Sequence, residues 1–161
     1  MTAPEYSPYC IEDRSGGLTA EELELCVTLL ARGSAVDPDF AREELPHAPM
    51  RVVATLDGVI AGVGAIKRAR PGYAARNATK AAYPIASDML ELGYVTVGKA
   101  HRGHHLSSRI VDALLSKPWG PLYATTDKDE MKHVLSQRKF ERRGREWDGE
   151  VGCLSLWIRP A

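Results

Sequence analysis

The sequence predicts an α/β (α+β) fold, in which a mixed, mostly antiparallel sheet of about six to seven strands is flanked by about four helices. Asp57-Gly58 separates two apolar, β-branched runs, which is typical of a β-hairpin with a type I′ turn, and Asp148-Gly149 indicates a second hairpin. Between these hairpins, residues 90–117 pass from a strand pattern through a short turn into a helix pattern.

Length and charge limit what the protein can be. Its 161 residues fit one domain with a single core, which we take to span residues 1–161. Its 21 lysines and arginines balance its 21 aspartates and glutamates, so no overall field recruits nucleic acid or a membrane surface. No apolar run approaches the length that spans a bilayer, and the N-terminus lacks the basic-then-apolar order of a secretion signal. We therefore expect a cytoplasmic protein with no membrane partner.

The cysteines predict no cross-link. Cys10, Cys26 and Cys153 are widely separated and odd in number, which suggests neither a disulfide framework nor a zinc site. All three lie in apolar sequence surroundings, so we expect them to behave as small core residues.

The N-terminal segment predicts a strand and a helix. Residues 9–12 form a candidate first strand. Thr19 followed by Glu22 is a capping box, which opens a helix. We expect Gly33 to follow the end of this helix in a left-handed conformation. The apolar face of the helix would carry Leu23, Cys26, Val27 and Leu30.

A second helix and the first hairpin follow. Asp37 supplies an N-cap and Pro38 an N1 proline for a short helix. Residues 51–56 and 59–67 then form the two strands of the first hairpin.

The segment 68–88 has no clear period, so we expect a long loop. Loops of this length are functional or mobile more often than ordinary connections are, although a merely solvated loop is the simpler alternative. The segment has four cations against one acid, together with two aromatic side chains; these residues are Arg68, Arg70, Arg76, Lys80, Asp88, Tyr73 and Tyr83.

The central unit predicts an anion site. Residues 90–97 alternate and are rich in β-branched residues, as a strand would be. A strand that enters a helix through a turn containing Arg102 and Gly103 directs the free N–H groups of that helix at whatever lies in front of it. These donors and the helix dipole favour an anion, most naturally phosphate. The helix itself is predicted by an apolar stripe of Leu106, Ile110, Ala113 and Leu114.

The C-terminal part predicts a strand, a helix and a hairpin. Residues 122–126 form a short buried strand, and residues 128–137 form a helix. Residues 140–147 and 151–159 flank the second Asp-Gly pair as two strands.

The sequence V-x-x-x-x-R-G-x-x-L-S after the central strand resembles the acyl-CoA-binding motif of the GNAT N-acetyltransferase family. Arg102 and Gly103 match the motif, Leu106 is its aliphatic position and Ser107 its small position. His105 departs from it, because glycine or alanine is usual there and lets the backbone approach a pyrophosphate. The order of predicted elements from about residue 9 to residue 159 is also that of the family. The resemblance implies splayed fourth and fifth strands and transfer of an acyl group, normally acetyl, from coenzyme A to an amine.

The resemblance also implies which residues bind acetyl-CoA (coenzyme A). The pantetheine arm would pair with the backbone of the fourth strand, and the pyrophosphate would meet the N–H groups of the turn. Lys128 stands where the family usually has an asparagine near the start of a helix. The expected cofactor-binding residues are Val95, Thr96, Val97, Arg102, Gly103, His104, His105, Leu106, Ser107 and Lys128.

The expected catalytic residues differ in part from those that are common in the family. Leu135 occupies the position at which the family commonly has the tyrosine that protonates the departing thiolate, so Ser136, Tyr123, His133 or a water would have to replace it. Glu91 lies where several relatives have a catalytic glutamate, and an attacking amine needs a base. The alternative is an ordinary carboxylate at the start of a strand. Tyr94 is a weaker candidate, since an aromatic residue on a central strand is usually part of the core.

The resemblance also locates the acceptor. In the family, the loop between the third and fourth strands borders the acceptor entrance, which here is the basic segment 68–88. We expect the acceptor amine to carry a carboxylate, a phosphate or an acidic neighbourhood. The candidate acceptor-binding residues are Arg70, Tyr73, Arg76 and Tyr83.

Three histidines in the central turn, His101, His104 and His105, raise the question of a metal site. A turn that presents its backbone to phosphate does not readily converge three imidazoles as well, and no acidic or thiol ligand is close in sequence. We therefore predict no metal. Contact with phosphate, or simple exposure, accounts better for these side chains.

The sequence favours an N-acetyltransferase that acts on a small-molecule or protein amine. A nucleic-acid-linked amine, such as charged transfer RNA or a modified base, is a second hypothesis, which the basic segment favours and the neutral net charge opposes. A third is a non-catalytic CoA-binding domain, which the departures at His105, Lys128 and Leu135 favour. A homodimer is compatible with all three.

Overall fold

The computed structural model describes residues 7–33 and 36–161. Within them, seven strands and five α-helices follow one another along the chain. Their order is β1 (Tyr9–Asp13), α1 (Ala20–Gly33), α2 (Pro38–Glu44), β2 (Met50–Leu56), β3 (Val59–Lys67), α3 (Tyr73–Ala81), β4 (Leu90–Val97), α4 (Leu106–Leu114), β5 (Leu122–Thr126), α5 (Asp129–Ser136), β6 (Glu141–Asp148) and β7 (Cys153–Arg159).

The strands form one sheet in the order β1-β2-β3-β4-β5-β7-β6. All neighbours are antiparallel except β4 and β5, which are parallel. The predicted fold class, a mixed and mostly antiparallel sheet flanked by helices, is confirmed. The parallel pair places the start of α4 and the start of α5 at the same end of the sheet, because each helix follows the carboxyl end of its strand.

Helices cover both faces of the sheet. On one face, α4 and α5 pack over a core that includes Leu92, Ile110 and Leu135. On the other face, α1 and α2 pack against β2, β3 and β4, and α3 packs against β6 and β7. No helix of the described chain is long and apolar enough to cross a bilayer.

Several local predictions are confirmed by hydrogen bonds. The capping box is present, since the Glu22 N–H donates to Thr19 Oγ1 at 3.1 Å and the Thr19 N–H donates to Glu22 Oε1 at 2.9 Å. Asp37 caps α2 by accepting from the N–H of Asp39 at 2.8 Å. Asp57 and Gly58 both have positive φ, 50° and 79°, as a type I′ turn requires.

The prediction for Gly33 was wrong, and the reason bears on the site. Gly33 is the last residue of α1 and has no left-handed conformation. A Cβ atom on it would lie 2.3 Å from Thr96 Oγ1, so glycine is needed here for the close approach of α1 to β4.

The predicted second hairpin is confirmed as the antiparallel pair of β6 and β7, joined by residues 149–152. Two other predictions were also wrong. The segment 68–88 is not a loop throughout, since it contains the helix α3. Cys26 is buried, as expected, but Cys10 and Cys153 are exposed and are therefore not core residues.

Candidate active site

A cleft of about 600 Å³ opens where β4 and β5 separate. The two strands pair only at Leu90 with Leu122 and at Glu91 with Tyr123, and after these residues they diverge. The predicted splay of the central strands is therefore present. The cleft is lined along one side by residues 91–97 and along the other by residues 124–131.

A β-bulge in β4 shapes this edge. Val63 pairs with Thr96 and Ala65 with Gly93, so Tyr94 and Val95 together oppose the single residue Gly64. Tyr94 has a φ of 55°, which is unusual for a residue with a side chain and marks local strain. The bulge turns the backbone of β4 at the middle of the cleft. Sequence reasoning missed it, because nothing in the local pattern of residues 90–97 indicates it.

The turn before α4 forms one end of the cleft. Gly103 and His105 both have positive φ, 87° and 57°, and Leu106 begins the helix. Position 105 is left-handed, a conformation that glycine adopts without steric cost. Histidine adopts this conformation more readily than most other side chains do. The exposed guanidinium of Arg102 and the ammonium of Lys128 add positive charge at the same end.

Nine of the ten predicted cofactor-binding residues line the cleft. The exception is His104, whose ring lies 5.0 Å from the ring of Tyr9 instead. His101, which was not among the predicted cofactor-binding residues, also lines the cleft, and its Nδ1 lies 2.9 Å from the hydroxyl of Tyr9. The nine residues are Val95, Thr96, Val97, Arg102, Gly103, His105, Leu106, Ser107 and Lys128.

Glu91 lies at the opposite end, where the splay begins. Only 4% of its surface is exposed, and its Oε1 lies 3.7 Å from Lys67 Nζ. Burial raises the pKa of this carboxyl, while the charge of Lys67 acts in the opposite direction. Glu91 Oε2 has no hydrogen-bond partner among the described residues. A buried carboxyl with a raised pKa at a cleft is typical of a functional group.

Tyr94 contacts a second ion pair. Its hydroxyl donates to Glu44 Oε2 at 2.5 Å, and the other oxygen of Glu44 lies 2.5 Å from Arg70 Nε. Lys67 Nζ lies 4.1 Å from the centre of the Tyr94 ring, within the range of a cation–π contact. Burial raises the pKa of Tyr94, and the bond to Glu44 adds to this effect. Tyr94 therefore lines the cleft with its hydroxyl already engaged.

Tyr73 is the first residue of α3 and reaches into the same end of the cleft. Lys67 Nζ lies 5.4 Å from the centre of its ring. The charge of Glu91 raises the pKa of Tyr73, and burial adds to it; the side chains of Asn77 and Thr125 act in the opposite direction. Sequence reasoning singled out Tyr73 as an acceptor residue but not as a neighbour of Glu91, because it did not predict α3.

The other predicted catalytic and acceptor residues lie elsewhere. Ser136 is exposed at the end of α5, does not line the cleft, and donates its hydroxyl to the His133 carbonyl at 2.8 Å. Arg76 is exposed on α3, and Tyr83 packs beside Tyr123, Leu156 and Trp147. Arg70 does not line the cleft. Its guanidinium pairs with Glu44 and lies 3.4 Å from the centre of the Phe40 ring. Of the four acceptor candidates, the structure brings only Tyr73 to the cleft.

Sequence reasoning missed two contributors to the cleft. Lys67 is the last residue of β3, and its partner Glu91 is 24 positions away in a strand pair whose register no local pattern gives. The connection between β6 and β7, residues 149–152, also lines the cleft. Its glycine-rich sequence suggested only a turn.

The described residues contain no group of three or more histidine, cysteine or acidic side chains that could hold a metal ion. His101 and His105 line the cleft while His104 does not. The three imidazoles are therefore not brought together.

Comparison with known proteins relates the chain to acetyltransferases by structure alone. No protein-family sequence model matches the chain, and no curated protein sequence matches it. Among solved structures, yncA from Salmonella typhimurium with acetyl-CoA is 14% identical, with a TM-score of 0.68 over 96% of this chain and 94% of that one.

Two further structures carry a family description. A GNAT family acetyltransferase from Streptococcus agalactiae is 12% identical, with a TM-score of 0.68 over 94% of this chain and 95% of that one. A GNAT family acetyltransferase from Elizabethkingia anophelis with acetyl-CoA bound is 10% identical, with a TM-score of 0.63 over 97% of this chain and 100% of that one. At such low identities, these likenesses show a shared fold.

Proposed function

We propose that this chain, which adopts the GNAT fold, transfers an acyl group, normally acetyl, from acyl-CoA to an amine. The observation that carries the proposal is the cleft between β4 and β5, which has a positively charged turn and a helix N-terminus at one end and a buried carboxyl at the other. These two ends match the two demands of the reaction, an anionic donor and an amine that must lose a proton.

The residues at the first end suit a coenzyme A pyrophosphate. The first residues of α4, Leu106 and Ser107, line the cleft next to the left-handed residues Gly103 and His105, and a helix N-terminus offers free N–H groups to an anion. Arg102 and Lys128 supply charge partners. This donor set contains hydrogen-bond donors and cations, as a diphosphate requires.

The edge of β4 suits the pantetheine arm. Only the first two residues of the strand pair with β5, which leaves Val95, Thr96 and Val97 beside the cleft. The arm would add to β4 as an extra strand, and the thioester that it carries supplies the activated acyl group. A backbone N–H near the bulge at Tyr94 and Val95 would stabilise the charge that develops on the thioester oxygen.

Glu91 would accept the proton of the acceptor amine, directly or through a water. Its buried position raises the pKa toward the range in which a base works well near neutral pH. Lys67, at 3.7 Å, limits this shift and keeps the carboxylate form accessible.

An amine screen tests the proposal. The protein is mixed with acetyl-CoA and a panel of amines that includes polyamines, amino acids, aminoglycosides and lysine peptides, and acetylated products are measured by mass spectrometry. We expect at least one amine to be acetylated, and the Glu91→Gln variant to do so at least about tenfold more slowly because a general base contributes rate factors of this size or larger. Binding of acetyl-CoA with no product from any amine would contradict the enzymatic proposal and favour a non-catalytic CoA-binding domain.

A further inference from the structure

The position that would supply a proton to the leaving thiolate is apolar in this chain. Leu135 is a residue of α5 and is fully buried in the core. The neighbouring hydroxyl of Ser136 lies outside the cleft and is bonded to a main-chain carbonyl. A different side chain must therefore act if the thiolate is protonated by the protein.

Tyr73 is the phenol best placed for this role among the described residues. Tyr9 is bonded to His101, and Tyr83 and Tyr123 do not line the cleft. Tyr94 lines it, but its hydroxyl is bonded to Glu44 at 2.5 Å. The hydroxyl of Tyr73 interacts with the neutral side chains of Asn77 and Thr125, and Tyr73 lines the cleft at the point where β4 and β5 begin to separate.

The surroundings of Tyr73 are polar and buried. Its hydroxyl interacts with the side chains of Thr125 on β5 and Asn77 on its own helix, and the charge of Glu91 on β4, which lines the same end of the cleft, acts on it. Lys67 of β3 lies over the ring at 5.4 Å. Three nearby buried atoms, Glu91 Oε2, Asn77 Nδ2 and the hydroxyl oxygen of Tyr123, have no hydrogen-bond partner among the described residues, so the cluster has capacity for another polar group.

We propose that Tyr73 is the general acid that protonates the departing CoA thiolate, and that Glu91 then returns a proton to Tyr73. This inference rests on the proposed acyl transfer. The amine nitrogen forms the new C–N bond and loses one proton to Glu91. The C–S bond breaks, and the sulfur takes the phenolic proton of Tyr73. The proton on Glu91 passes to the phenolate, directly or through a water, so both side chains return to their starting forms.

Electrostatics couples the two proton transfers. The negative charge of Glu91 is the largest influence that raises the pKa of Tyr73. When Glu91 takes up the proton of the amine, that charge disappears, and the phenol becomes a stronger acid as the thiolate leaves. Lys67 stabilises the phenolate until the proton returns, since its ammonium lies 3.7 Å from Glu91 Oε1 and 5.4 Å from the centre of the Tyr73 ring.

A binding experiment tests Tyr73 without requiring a known acceptor. The wild type and Tyr73→Phe are saturated with CoA or with desulfo-CoA, which has no thiol, and the thiolate absorbance difference is followed against pH. A hydrogen bond to a charged group favours that form, so we expect Tyr73→Phe to raise the pKa of the bound thiol by about one unit or more. The affinity for desulfo-CoA should stay within about twofold, because that ligand cannot use the phenol.

The outcomes separate the two proposals. If CoA binds to both proteins and its thiol titrates at the same pH in each, Tyr73 does not contact the sulfur and this inference is overturned. If CoA does not bind to the wild type, the proposed function itself fails, and the inference fails with it.

A second variant guards against a folding defect in Tyr73→Phe. A fluorinated tyrosine at position 73 keeps the ring and hydroxyl but lowers the pKa of the phenol. With any acceptor found in the amine screen, we expect the alkaline limb of the pH profile of kcat to move to lower pH in this variant, with KM for acetyl-CoA unchanged. An unmoved alkaline limb would assign proton donation to another group.

Discussion

The ammonium of Lys67 lies 3.7 Å from a carboxylate oxygen of Glu91, and both side chains are largely buried, with 13% and 5% of their surfaces exposed. The two residues face each other across β3 and β4 at the end of the cleft. A buried ion pair of this kind is costly to desolvate and is weak evidence for stability. Its position beside two tyrosines in a cleft is instead typical of a functional site.

The raised pKa of the buried Glu91 carboxyl makes the free energy of unfolding depend on pH. Because the pKa of Glu91 is raised above its ordinary value of 4.5, the folded protein keeps a proton that the unfolded chain has already released. Stability should therefore fall as pH rises from about 4.5 through the folded-state pKa, with a slope of at most about 1.4 kcal/mol per pH unit. Glu91→Gln should lack this decline.

Urea unfolding between pH 4.5 and 8 measures the effect as the difference between wild type and Glu91→Gln at each pH. Other carboxyls titrate alike in both proteins and cancel. A difference that stays constant over the whole range would show that Glu91 has the same pKa in the folded and unfolded states.

Gly144 controls how α3, and therefore Tyr73, is seated on the sheet. A Cβ atom at this position would lie 2.1 Å from the carbonyl oxygen of Ala81, the last residue of α3. Gly144→Ala should therefore destabilise the protein by about 2–4 kcal/mol, which combines the cost of positive φ with that of overpacking.

Gly120→Ala is the matched control, since Gly120 also has positive φ, 76°, but an added Cβ would meet nothing within 4 Å. Only the conformational cost of about 1–2 kcal/mol should appear there. Equal losses in chemical denaturation of the two variants would mean that α3 does not pack against β6 as described.

Charge reversal at Arg70 and Arg76 separates two roles for the basic segment. Arg70 is paired with Glu44, which holds the hydroxyl of Tyr94, whereas Arg76 is exposed and does not line the cleft. We expect Arg70→Glu to raise KM for the acceptor and to lower stability by about 1–3 kcal/mol, because it leaves Glu44 beside a second carboxylate. Arg76→Glu should change stability by less than about 0.5 kcal/mol.

Steady-state kinetics with an amine found in the screen, at low and high salt, completes this test. If Arg76→Glu raises KM for the acceptor as much as Arg70→Glu does, and more at low salt, then a diffuse surface field attracts the acceptor, and the Glu44–Arg70 contact is not responsible.

The central unit was predictable because local patterns determine it. The strand Leu90–Val97 has the alternation and β-branched residues that define a strand, and α4 begins at Leu106 with its apolar stripe at helical spacing. The turn Asp57-Gly58 likewise determines where β2 ends and β3 begins. The end of the cleft at the turn before α4 follows from these elements.

The helix α3 was not predictable in this way. Its buried face consists of Ala74, Asn77 and Ala81, and small or polar side chains give no apolar period. It ends with Ala82 in a left-handed conformation, where glycine would have signalled a helix end. Since Tyr73 opens this helix, its position beside Glu91 could not be inferred from sequence.

The register of the strands also lies beyond local patterns. The bulge at Tyr94 depends on how β4 pairs with β3, and Lys67 meets Glu91 only through that pairing. The end of the cleft at Glu91 and Lys67 is built from such long-range contacts. The sequence therefore predicted the residues at the turn before α4 more completely than those around Glu91.

Calorimetric titration of acetyl-CoA into the wild type and Gly103→Pro tests the central proposal most directly. Proline at position 103 is incompatible with the observed φ of 87°, so it should distort the turn before α4. The part of the core that lies away from the cleft should remain folded. We predict saturable binding of one acetyl-CoA per chain to the wild type and a loss of at least about tenfold in affinity for Gly103→Pro. No binding to the wild type, or equal binding to both proteins, would contradict the assignment of this cleft to acyl-CoA.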